Sequence, residues 1–190
     1  MHIIDLRSAS EAAIQQAAVL LVEGFKTHWP DAWPDLEAAL QEVHESLATD
    51  RICRVAHEDN TVLGWIGGIP QYHGNVWELH PLVVKADRQR TGIGQALVFD
   101  FEQQVQAREG LTITLGTDDE DNMTSLSGVD LYPDPWNHIA RIRNLKGHPY
   151  EFYQRLGYVI TGVVPDANGL GRPDILMSKR VGRAGTYPLK

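Results

Sequence analysis

The chain has 190 residues, 43% hydrophobic and 22% charged, the length and composition of one globular domain with a substantial core. Its 17 basic and 25 acidic residues give a formal charge of −8, which argues against nonspecific nucleic-acid binding and favours a cationic small substrate. A single cysteine, Cys53, excludes an internal disulfide; no apolar run matches a membrane span, and "MHIIDLRSAS" lacks a signal-peptide layout, so a cytoplasmic protein is expected.

After a first strand, residues 10–25 ("SEAAIQQAAVLLVEGF") read as an amphipathic helix with Ser10 as N-cap. Residues 35–48 ("DLEAALQEVHESLA") read as a second helix, and the loop "HWPDAWPD" between them is punctuated by Pro30 and Pro34. "RICRVAHEDNTVLGWIGGIPQY" reads as a β-hairpin turning at Asp59 and Asn60, with Cys53 a buried strand thiol rather than a nucleophile. "GNVWELHPLVV" is the next strand. Its period of two sets Trp77 and Leu79 on one face and Glu78 and His80 on the other, as far as Pro81. Proline cannot donate to a ladder, so a break or bulge is expected there, with N–H groups after it free for a ligand.

In "DRQRTGIGQALV", Gly92 and Gly94 open a helix whose apolar residues Ile93, Ala96, Leu97 and Phe101 follow a helical period. Unpaired N–H groups at such a helix start, approached closely through glycine, suit an anion. Neither a P-loop nor the third glycine of a dinucleotide fingerprint is present. "LTITLGTDDED" begins as a strand and ends as an acidic loop. From residue 122 to 144 the pattern weakens, with "DLYPDPWNH" a loop and a short helix near 137–143. "HPYEFYQRLGYVITGVVPDANGLGRPDILMSKRV" reads as a helix, a stop at Gly157, a strand, a turn and a last strand. The order is therefore β, α, α, β, β, β, α, β, α, β, β. Residues 1–180 form a single domain, and 181–190, without pattern, are read as a tail that is frayed or left from expression.

A carboxylate on a mid-sheet strand is costly to bury unpaired, which makes Glu78 a general-base candidate; a sheet-edge carboxylate paired with a cation or hydroxyl is the plainer alternative. The eight histidines and lone cysteine show no metal-ligand spacing, so no metal is expected.

The strand with Glu78, the proline-broken segment, two valines, Gln89-x-x-Gly92-x-Gly94 opening a helix, and "FYQRLGY" downstream together resemble the GNAT family of acyl-CoA-dependent N-acetyltransferases. The resemblance implies an α/β (α+β) fold with a mixed central sheet splayed at a β-bulge and flanked by helices. It implies acetyl-CoA as co-substrate, its pyrophosphate on Gln89, Arg90, Thr91, Gly92, Ile93, Gly94 and Gln95, with Arg88 and Arg90 as outer partners. The pantetheine arm would pair along Leu82, Val83 and Val84.

Five blocks, "GGIPQY", "WELHPLVV", "ITLGTDDED", "HPYEFYQRLGY" and "PDANGLGRPDI", more narrowly resemble the chromosomal aminoglycoside 6′-N-acetyltransferases of that superfamily. That likeness implies direct transfer in a ternary complex, antibiotic resistance and a homodimer. Glu78 would be the base, directly or through water, a backbone N–H at Leu82 or Val83 would meet the oxyanion, and Tyr153 would protonate the departing thiolate. Trp29 and Tyr72 would lie against sugar rings. An acceptor bearing several ammonium groups also needs carboxylates, for which Glu78, Asp118, Asp119 and Asp121 are the candidates. Trp33 is read as packing, His80 as an orienting residue and His148 as closing a loop. Two other readings stay open: acetyl transfer to another amine, such as a polyamine, a protein lysine or an N-terminus, and a non-catalytic acyl-CoA sensor.

Overall fold

In the computed structural model, which describes residues 1–182, capping side chains start the early helices where the sequence sets them. Strand β1 (His2–Asp5) leads to α1 (Glu11–Phe25), where Ser10 accepts the Ala13 N–H, and α2 (Leu36–Ser46), where Asp35 accepts the Ala38 N–H at 2.9 Å. The hairpin of β2 (Ile52–Glu58) and β3 (Thr61–Gln71) turns on Asp59 and Asn60, both with positive φ as a two-residue hairpin turn requires. Then follow β4 (Val76–Val84), α3 (Ile93–Ala107), β5 (Thr112–Asp118), α4 (Pro135–Ala140), α5 (Tyr150–Arg155), β6 (Val159–Val164) and β7 (Asp174–Arg180). Helix α4 starts earlier than its pattern predicts. Asp134 caps the Asn137 N–H, and Pro135 sits in the first turn, where its missing N–H costs nothing. At the other end, Val181 and Gly182 still donate to the Leu111 carbonyl; the expected tail lies outside the described residues from 183 on.

The seven strands form one sheet in the order β1-β2-β3-β4-β5-β7-β6, antiparallel except for the parallel β4–β5 pair. One face packs on α3 through Trp77, Leu97, Phe101 and Ile113. The other packs on α1 and α2 through Leu21, Val43, Val55 and Trp65, whose indole N–H donates to Ala17 at 3.1 Å. This is the mixed, helix-flanked sheet expected.

Strand β4 positions the site. Gly68 pairs with Leu79 and Ile66 with Leu82, so three steps on β4 oppose two on β3. That is the bulge expected at Pro81. One extra residue exchanges the faces of everything beyond it. Trp77 and Leu79 belong to the α3-side core, and beyond the bulge Leu82 and Val84 lean on it while Val83 enters the core under α1. The β4–β5 ladder meanwhile stops at Glu78 opposite Thr114. Beyond that point the two strands part, and the sheet splays.

Gly67 faces the bulge from β3. A β-carbon there would collide with the His80 carbonyl oxygen, a main-chain atom that cannot swing away. Gly67→Ala is therefore expected to destabilise the fold by about 2 kcal/mol, the scale of overpacking in a fixed interior, as read by urea denaturation; an unchanged midpoint would contradict the tight fit.

Candidate active site

The splay leaves two openings that meet. A cleft of about 400 Å³ lies between the α1–α2 loop, the bulge and the end of β5. It is walled by Phe25, Trp29 and Trp33 on one side, His80, Pro81 and Leu82 on the floor, and Gly116, Asp118, Glu120 and Asn168 opposite. A groove of about 570 Å³ runs from the bulge to the start of α3, lined by Leu82, Val84, Gln89, Arg90, Gly92, Gly94 and Gln95, with Phe152 and Arg155 from α5. Leu82, Pro149 and Tyr153 line both.

The openings differ in charge. Among the described residues lining the cleft are the acids Asp31, Asp118 and Glu120 and no Lys or Arg; those lining the groove include Arg90 and Arg155 and no acid. At the groove's far end Gly92 is the N-cap of α3, with φ of 92°, a left-handed conformation that glycine adopts without strain. Nothing lies where its β-carbon would point. An anion thus reaches the free N–H groups of α3, and the groove suits a phosphate-bearing ligand with an extended arm toward the bulge. The Leu82, Val84, Gln89, Arg90, Gly92, Gly94 and Gln95 of the sequence reading lie along it. Val83, Thr91 and Ile93 do not: Val83 and Ile93 are buried in opposite cores, and the Thr91 hydroxyl donates to the Arg88 carbonyl at 2.6 Å. Arg155 gave no sequence signal, because it reaches the groove from a helix distant in the chain.

Tyr153, on the short helix α5, is all but buried at the junction of the openings. Burial raises its phenol's pKa well above the ordinary value, so at neutral pH it holds its proton and can donate it. Its helix is tied to the cleft by His148. The Tyr150 N–H donates to His148 Nδ1 at 3.2 Å, so Nε2 carries the proton and donates to the Asp118 carbonyl at 3.1 Å. Burial lowers this ring's pKa and keeps it neutral. The loop-closing role read for His148 has this form.

Glu78 is outside the cleft lining, half-buried, and accepts the Gln71 Nε2–H at 2.5 Å. Tyr72, expected against a sugar ring, is 73% exposed in a turn with φ of 48° and lies outside the cleft lining. Trp29 does line it, and its indole N–H is buried with no partner among the described residues. Trp33, read as packing, also lines it, 4.6 Å from Phe25 and 5.8 Å from His80 between ring centroids. No periodicity marks it, since a loop carries it.

The four acids of "TDDED" divide by role. Asp118 lines the cleft and accepts the Asn168 side-chain amide at 2.5 Å. Asp121 bonds His28 Nδ1 at 2.5 Å, crossing from the acidic loop to the α1–α2 loop, so its carboxylate is already engaged. Glu120, missed in the sequence, lines the cleft; burial and the neighbouring Asp118 raise its carboxyl pKa against Arg172. Asp119 is fully buried and accepts the N–H groups of Met123 at 2.6 Å and Thr124 at 2.8 Å, which folds the loop.

A family model, the acetyltransferase (GNAT) family, matches residues 16–132. The chain is a GNAT acetyltransferase. Among solved structures, an aminoglycoside 6′-N-acetyltransferase complexed with coenzyme A is 40% identical with a TM-score of 0.89, the alignment covering 97% of this chain and 99% of that one. One from Enterococcus faecium, at the same identity and coverage, has a TM-score of 0.88. An aminoglycoside 6′-acetyltransferase type Ii is 35% identical, with a TM-score of 0.74 over 97% of this chain and 100% of that one. No curated protein matches the chain in sequence. Among the described residues of the acetyltransferase, no helix is long and apolar enough to cross a membrane.

For Asp119, burial alone would raise the carboxyl pKa, but hydrogen bonds from Ser127, Met123 and Thr124 outweigh it and hold the value below its ordinary 3.8. Its contribution to stability is therefore complete above about pH 4 and is lost as acid titrates it through the lowered folded value. Asp119→Ala, stranding two buried N–H groups, is expected to lose about 3 kcal/mol at neutral pH and to show a flatter acid limb in pH-dependent melting.

Proposed function

We propose that the acetyltransferase transfers the acetyl group of acetyl-CoA to the 6′-amino group of aminoglycosides by direct attack in a ternary complex, conferring resistance to them. The observation that carries this reading is the meeting of an acidic cleft and a basic, helix-capped groove at Leu82 and Tyr153. It is supported by full-length likeness to proteins named for that activity.

Acetyl-CoA supplies an activated acyl thioester. The chain's own residues do the rest. Gln89, Arg90, Gly92 and the N–H groups opening α3, with Arg155, hold the pyrophosphate, and Leu82 and Val84 guide the arm toward the bulge. Past Glu78, the main chain of β4 has no strand partner on its β5 side, which leaves the Leu82 N–H as the donor for the oxyanion. The protonated phenol of Tyr153 assists the leaving thiolate. Trp29 offers its indole face to a sugar ring, and Asp118 and Glu120 take ammonium groups. Glu78, held by Gln71 outside the cleft lining, removes the amine's proton through water. Cys53 cannot carry the acyl group: it is buried in β2 and burial raises its thiol's pKa to about 12. A cytoplasmic location and a homodimer, carried by the resemblance, belong to the same proposal.

The deciding measurement is thiol release from acetyl-CoA across a panel of amines. Aminoglycosides with a 6′-amino group are expected to turn over; release only with polyamines or peptides would replace the acceptor, and none at all would favour the sensor. Within the assay, Tyr153→Phe should lower kcat about 100-fold, in the range for a lost general acid, and Glu78→Gln should lower turnover at neutral pH while leaving acetyl-CoA KM near its original value. Gly92→Asp should do the reverse, raising acetyl-CoA KM at least tenfold by placing a carboxylate where phosphate binds; an unaltered KM would remove the pyrophosphate assignment.

A further inference from the structure

Asp174, the first residue of β7, pairs with Asp118 in the antiparallel β5–β7 ladder. Its carboxylate does not point away from the sheet. It folds over Gly116, where a β-carbon would come within 2.5 and 2.8 Å of its two oxygens. Gly116 and Asp118 line the acidic cleft, so this carboxylate, though not itself part of the lining, sits directly against a lining residue and is the ladder partner of another.

The position is an uncomfortable one for a charge. Oδ1 is buried with no hydrogen-bond partner among the described residues. Burial first, then Asp118 and Glu78, disfavour its ionised form and raise its carboxyl pKa to about 6, against the Thr117 main-chain N–H that favours the charge; no cation is among these influences. Carboxylates from β4 and β5 thus act on the Asp174 carboxylate of β7, and among the described residues no counter-ion joins the group. A residue serving only the fold would be better replaced by an uncharged one.

We propose that Asp174 is a specificity-determining residue, its carboxylate over Gly116 joining Asp118 to hold an ammonium group of the acceptor other than the one that is acetylated. The inference rests on the polycationic acceptor proposed above. The reacting amine must lose its proton near Leu82 and Tyr153, whereas a second amine stays charged and needs acceptors farther along the cleft. The Asp118–Asp174 pair lies at the end of β5, across the cleft from Trp29 and Trp33. Asn168 binds Asp118 Oδ1, which fixes that carboxylate and leaves its other oxygen for the ligand. An ammonium there relieves the repulsion that the free protein sustains.

The test compares wild type with Asp174→Asn, which keeps the shape and removes the charge. Kinetics are read by thiol release with a 6′-amino aminoglycoside, and melting temperatures with and without that aminoglycoside. The expected result is an aminoglycoside KM raised at least tenfold, acetyl-CoA KM within twofold, an unliganded melting temperature equal to or above wild type, and a smaller shift on adding aminoglycoside. Gly116→Ala, which displaces the carboxylate without removing it, should raise the same KM. An aminoglycoside KM unchanged in Asp174→Asn would overturn the proposal, as would a lowered unliganded melting temperature with both KM values altered together, the mark of a structural role. If wild type turns over no aminoglycoside, the acceptor reading fails and this one with it; if wild type turns over and the variant matches it, only this one fails.

Discussion

Strand β4 is asked to pair with β3 on one side and β5 on the other, and past Glu78 it does not satisfy both. The parallel ladder to β5 ends, and the antiparallel ladder to β3 continues only by absorbing an extra residue at His80 and Pro81. From that conflict follow the splay of the sheet, the change of face after the bulge and the unpaired main chain beside it. Leu82 faces the opening because of that added residue; without it Leu82 would take the opposite face. Gly67 permits the arrangement by letting the bulged carbonyl approach its backbone.

The same parting sorts ligands by charge. A chain with a formal charge of −8 does not spread it evenly: acids gather on the lips of the cleft, while Arg90 and Arg155 and the start of α3 form the groove. A cation and an anion are thereby drawn to different mouths of one junction. The acidic side pays for this in repulsion, most visibly at Asp174, whose ionised form Asp118 and Glu78 disfavour.

Local patterns were the legible part of the molecule. Caps at Ser10 and Asp35, the Asp59-Asn60 turn, the proline-marked bulge and the glycine-opened helix are fixed by neighbours in the chain, so residue types alone expose them. Trp33, Arg155 and Glu120 line the openings although nothing in the sequence marked them as site residues. Each reaches the junction from a loop, a short helix or a strand end, and its relevance arises from sheet order and not from sequence spacing. Tyr72 shows another limit: it closes "GGIPQY", and a tight turn that the motif does not reveal directs it to solvent, outside the cleft lining. The acidic loop shows both limits at once, since four consecutive acids look alike in sequence. In the fold one is a loop-forming acceptor, one a bridge to His28, and two border the cleft.

His148 joins the strand end that bears Asp118 to the helix that bears Tyr153, and it does so as an uncharged ring bonded at both nitrogens. A protonated imidazole has no lone pair to receive the Tyr150 N–H, so charging it would break one of its two anchors. Burial prevents that charging across the neutral range. The spacing between the wall that grips one reactant and the phenol that serves the other is therefore insulated from modest changes in acidity.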